Sequence, residues 1–170
     1  MEITNIELFL EYYSKIRQRT QRVMQCIPKG KIDWRPREYS FSFADIIRHI
    51  AAIERYMYAE TVRGNVSSYP GHGKDLVDGY EDILGFMDKM HRESVDIFKK
   101  LHQTRLREKC KTPSGTSITI WKWLRTMIEH EIHHRAFIYA NLSLLGLETP
   151  PLFDLSESEV KELSRVDSQA

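Results

Sequence analysis

Cysteine is scarce in this chain of 170 residues, limited to Cys26 and Cys110, which stand far apart. With no C-x-x-C pair, neither a thiolate zinc knuckle nor a dithiol redox motif is available. Two free thiols in a reducing compartment are expected, and with them a cytoplasmic location. An excess of charge is also missing: 25 lysines and arginines face 24 aspartates and glutamates, a net charge of +1. Such a balance supports neither a nucleic-acid partner nor an acidic substrate. No apolar run approaches the ~20 residues needed to cross a bilayer, so no membrane association is expected. The stretch Met1–Tyr13 carries acids and no basic region, so it is not a signal peptide. There is no G-x-S-x-G frame, no Walker loop and no G-x-G-x-x-G after a strand. Internal repeats, low-complexity tracts and a convincing strand alternation are absent too. A single domain over residues 1–170 is the expectation, large enough to bury a core without disulfides or metal.

Helical periodicity is what the chain does have. Apolar positions Ile6, Phe9, Leu10, Tyr13, Ile16, Thr20 and Val23 predict a first helix from Ile3 to about Ile27, capped by Thr4 or Asn5. Pro28 and Gly30 end it, and Trp34 is an apolar anchor in the polar connector that follows. Ser42 is a plausible cap for a second helix reaching about Arg63, with Ile46, Ile50, Ile53 and Met57 towards the core. Residues 64–79 form a glycine-rich loop of the length that often borders a site. A third helix is expected from Tyr80 to about Lys109. Lys111–Ile118 reads as a turn with some extended character. The fourth helix runs from about Thr119 to Leu145, where Gly146 and Pro150-Pro151 stop it. After the apolar stretch Pro151–Leu155, Ser156 and Glu159 make a capping box for a short final helix, and Val166–Ala170 is expected to fray. The fold class is therefore all-α, a four-helix bundle with a short C-terminal helix.

Three of the seven histidines, His130, His133 and His134, fall inside the fourth helix. His130 and His134 are four apart and stack one turn above the other at the edge of the core stripe, whereas His133 points roughly 60–90° away. Two imidazoles at that spacing can grip one divalent cation, but they need a third ligand. His49, at the middle of the second helix's core stripe, is the candidate. Three neutral nitrogens leave a coordination position open for water or substrate, as catalytic sites do. All-nitrogen ligation suits zinc, nickel, cobalt or iron(II), zinc and nickel foremost. His72, His91 and His102 are read as surface histidines, Glu129 and Glu131 as exposed carboxylates, and a zinc-protease frame is given little weight.

Two stretches, F-S-F-A-D-I-I-R-H-I-A-A-I-E-R-Y and T-I-W-K-W-L-R-T-M-I-E-H-E-I-H-H-R-A-F-I-Y-A-N-L-S-L-L-G, resemble the DinB (YfiT-like) family, as do the flanking I-D-W-R-P and E-T-P-P-L-F. The most specific element is one histidine in helix two joined to H-x-x-H-H-R in helix four. The resemblance implies a four-helix bundle, commonly a homodimer, with a divalent metal on His49, His130 and His134. It also implies a metal-dependent enzyme such as an S-transferase using a low-molecular-weight thiol, with a metal-dependent hydrolase or a non-catalytic metal-binding bundle as alternatives. One departure is notable: many members read H-H-R-G-Q, whereas this chain has Ala136-Phe137 after Arg135.

Overall fold

The computed structural model describes residues 2–151 and 154–165. Helix α1 (Ile6–Met24) begins at Asn5, whose side-chain oxygen accepts from the Leu8 N–H at 2.8 Å. Helix α2 (Phe43–Ile53) begins at a capping box in which Ser42 and Asp45 satisfy one another's backbone N–H groups. It passes through a π turn (Glu54–Tyr58), where the Ala59 N–H reaches back to the Glu54 carbonyl, and continues as α3 (Ala59–Val62). Helices α4 (Tyr80–Phe98) and α5 (Ile120–Leu144) complete the bundle. Gly146 closes α5 with φ of +67°, a conformation open to glycine without strain. A final helix, α6 (Glu157–Leu163), starts at the expected Ser156–Glu159 box. Of the other expectations for the tail, Leu152 and Phe153 in the apolar stretch and the fraying segment 166–170 lie outside the described residues.

Helix α1 packs against α5, and α2 against α4 and α5. The core falls into two clusters. One joins Phe9, Tyr13 and Ile16 to Phe98, Leu124 and Met127; the other joins Val23, Ile27, Phe43 and Ile47 to Ile83, Ile138 and Leu142. The start of α2 and the start of α4 share the second cluster, so those helices run parallel. A parallel pair cannot be joined by a tight turn, which is why residues 64–79 make a long crossing. The buried guanidinium of Arg48 ties that crossing down: its Nε donates to the His72 carbonyl at 2.8 Å and a terminal nitrogen to the Val77 carbonyl at 3.1 Å.

Two expectations about the helices need correction. The third helix ends at Phe98, not near Lys109, because His102 is extended and its ring accepts from the Thr104 N–H. The chain then makes a 3-10 turn over Gln103–Arg107 that buries Leu106. The expected turn with extended character at Lys111–Ile118 is an antiparallel hairpin, β1 (Lys109–Lys111) with β2 (Ser117–Thr119), whose three-residue strands are too short to show an alternation. Ile53 and Met57 are only partly buried, while Glu54 and Tyr58 are buried through the π turn.

Buried charge lies near the middle of the bundle. Arg17 is paired with Glu54 and, at 3.0 Å, with Glu131, all three no more than 2 % exposed. Its guanidinium also donates to the Tyr13 hydroxyl at 2.9 Å. Burial alone would raise the Glu54 carboxyl's pKa, but Arg17 and His91 outweigh it and hold it below the usual range. His91, expected at the surface, is only partly exposed and meets Glu54 Oε1 through Nδ1 at 2.9 Å.

Candidate metal centre

The packing of α2 against α5 brings His49 opposite the His130–His134 turn. One nitrogen from each of the three imidazoles lies within 4.8 Å of the others, and His49 Nε2 stands 3.1 Å from His130 Nε2. Two nitrogens on one tetrahedral zinc would be about 3.3 Å apart, given bonds of about 2.0–2.1 Å. His134 Nδ1 is buried with no hydrogen-bond partner among the described residues, an atom that a cation or a water would satisfy. These donors fit a divalent metal. No fourth histidine, cysteine or carboxylate joins the group among the described residues. His133 is exposed and turns its ring to Phe137 instead.

The cluster's electrostatics favour neutral nitrogens. Burial, followed by the charges His134 and His72 would carry, lowers His49 to about 4. Burial and the neighbouring histidines lower His130 to about 3, and burial with His133 lowers His134 to about 4. All three are unprotonated at neutral pH, with lone pairs ready for a Lewis acid.

The crossing loop supplies what the helices do not. Tyr69 places its hydroxyl 2.8 Å from His49 Nδ1. With Nδ1–H donating to that oxygen, the Nε2 lone pair is the one left facing His130. His72, expected to be an exposed loop residue, is half-buried: its ring packs on Phe41 at 4.3 Å between centroids, and Nδ1 lies 3.4 Å from the Tyr69 hydroxyl. Tyr69 had no signal in the sequence beyond its place in a loop long enough to border a site. Phe41 stacks parallel to His134 at 6.4 Å on one side, and Phe137 lies 6.0 Å away on another.

Glu131 is not exposed as expected, and the protease frame given little weight is present in the sequence. Residues His130-Glu131-Ile132-His133-His134 satisfy H-E-x-x-H, a pattern in which the glutamate serves as general base beside the metal. Here Glu131 is 1 % exposed and bound to Arg17 in the bundle interior, so it is spent on the core. Glu129 is exposed as expected and pairs with Arg125. Glu60 is held by Arg55 and Asn65 and takes no part in the cluster.

A four-helix bundle with three imidazoles converging from two of its helices defines a class of proteins, and comparisons identify the family. The chain belongs to the DinB superfamily, whose family model matches residues 12–138. It is 23 % identical over 148 residues to the uncharacterized protein YjoA of Bacillus subtilis, covering 85 % of this chain and 93 % of that one. Among solved structures, a DinB-like protein of Bacillus cereus aligns with a TM-score of 0.73 at 15 % identity, covering 87 % of this chain and 97 % of the other. The YjoA crystal structure aligns at 0.68 with 20 % identity, covering 85 % and 96 %. These structural likenesses establish the bundle fold.

Proposed function

We propose that the protein is a metal-dependent enzyme that holds a divalent cation on His49, His130 and His134 and transfers a low-molecular-weight thiol to a small electrophile. The observation that carries this reading is the convergence of three neutral imidazole nitrogens with no fourth protein ligand among the described residues. Zinc or nickel suits such a donor set. A cation bound there supplies Lewis acidity that lowers the pKa of a thiol or water at its open side. The chain's own groups position and shield. Tyr69 fixes the His49 ring, Arg48 holds the loop carrying Tyr69, and Phe41 and Phe137 restrict water around His134. The apolar wall favours thiolate over hydroxide as nucleophile, because sulfur gives up its hydration more readily. In the transfer the thiol proton leaves to solvent, the sulfur bonds the electrophilic carbon, and the leaving group departs with its electron pair. Assembly as a homodimer in the cytoplasm belongs to the same proposal; sedimentation of the purified protein at the monomer mass would refute the dimer.

The test is elemental analysis of the purified protein and single-alanine variants, beside a panel of thiols with a chromogenic aryl halide. His49→Ala, His130→Ala and His134→Ala should each lose most of the metal, and His133→Ala should keep it, all with unchanged helicity. Loss of metal from the His133 variant with retention in the His49 variant overturns the ligand set. Turnover that is metal-dependent but indifferent to thiol would move the reading to hydrolysis.

A further inference from the structure

Beside the cluster, the loop after α1 and the last turns of α5 enclose a cleft of about 360 Å³. Its walls include Phe41, Ile46, Phe137 and Asn141, with His134 shared between cleft and cluster. The other lining residues are Pro36, Tyr39 and Ser40, so among the described residues no lysine, arginine, aspartate or glutamate lines the space. An ionised group entering it would lose hydration and meet no counter-charge. Apolar cavities of about 150 Å³ already hold one benzene ring, so the cleft has room for a substituted ring. Phe41 and Phe137 both line it, and Phe137 stands where many family members have glutamine.

Asn141 gives the cleft its polar direction. The residue is 6 % exposed overall, and its side chain lines the cleft and makes no hydrogen bond to another described residue. An amide that opens on a mostly apolar cleft and has no protein partner is a hydrogen-bonding position a ligand can fill. We propose that this cleft is the electrophile subsite of the enzyme, selecting a planar aromatic group that carries one uncharged hydrogen-bonding substituent. The ring lies between Phe41 and Phe137, and the substituent meets the Asn141 amide. The thiol, with any charge it bears, is bound outside this cleft. This inference rests on the proposed transferase reading for the role it gives the cleft, but binding to the cleft needs no metal.

The experiment therefore uses metal-free full-length protein and titrates benzamide, benzoate and ethylbenzene, followed by backbone amide NMR shifts. Benzamide should bind with shifts centred on residues 39–41 and 134–141, and benzoate should bind at least about tenfold more weakly. Phe137→Gln, at a half-exposed position that does not threaten the fold, should weaken both benzamide and ethylbenzene. Asn141→Leu should weaken benzamide by roughly five- to tenfold while leaving ethylbenzene unchanged or tighter. Equal binding of benzoate and benzamide, or indifference to Phe137→Gln, overturns the subsite. Such a failure leaves the metal-content results of the histidine variants untouched, so the two proposals fall separately.

Discussion

Acidification is a direct way to interrogate the tri-histidine cluster, because protons compete with a cation for the same lone pairs. A histidine with an ordinary pKa near ~6.5 is about 90 % protonated at pH 5.5. Three such ligands would weaken apparent metal binding roughly thousandfold between pH 7.5 and 5.5. In this bundle the values are lowered to about 4, about 3 and about 4 for His49, His130 and His134. At pH 5.5 each ring is then protonated less than about one-twentieth of the time, and apparent affinity should fall less than about twofold. Sequence alone would place the loss near pH ~6.5; burial moves it to about pH 4. Equilibrium dialysis against zinc at pH 7.5, 6.5 and 5.5, read by elemental analysis, measures this. A thousandfold decline over that range would refute the claim that burial keeps the nitrogens free. The metal-free fold should respond with a definite sign. Its unfolded chain takes up protons near pH ~6.5 but its folded form not until about 4, so the histidine contribution to stability is complete above pH ~6.5 and is lost as pH falls towards 4.

Replacing Arg17 with methionine leaves Glu54 and Glu131 buried without their shared cation, and should destabilise the fold by about 3–5 kcal/mol. Thermal unfolding should show the midpoint lower by roughly 10 °C; an unchanged midpoint would mean the three charges are not coupled in solution. Tyr69→Phe removes the hydroxyl from His49 Nδ1 and should weaken metal binding about ten- to hundredfold at unchanged helicity. Wild-type affinity in that variant, by competition with a chelator, would show that the hydroxyl does not orient the ring.

The bundle's helices were legible because their apolar stripes and caps are local. Asn5, Ser42, Gly146 and Ser156 each act where the sequence places them. His49, His130 and His134 were legible for the same reason, since an i, i+4 pair and a histidine in a core stripe are visible on a wheel. Arg17 and Glu131 were not. A charged residue beside an apolar stripe reads as surface unless its counter-charge, here on another helix, is known. Tyr69 and His72 depend on a loop whose path is set by Arg48 reaching carbonyls distant in sequence, and no local pattern encodes that. The early end of α4 was missed, and the hairpin was legible only as a turn with extended character, because their signals span only two or three residues.

The π turn at Glu54–Tyr58 sets a limit on how the gene can change. A π turn holds one more residue than the α-helical path it replaces, so deleting a single codon there would restore an ordinary helix and relieve the local irregularity. Residues downstream would keep their present faces, because the residue removed is the one in excess. Thr61 would still meet the Trp123 indole N–H, now at 2.8 Å, and Val62 would stay in the core. A one-codon deletion in the regular turns between Phe43 and Ile53 would instead rotate everything downstream by about 100° and is expected to be lethal to the fold. In alignments of related genes, a gap within this helix is therefore expected at the π turn and not before it.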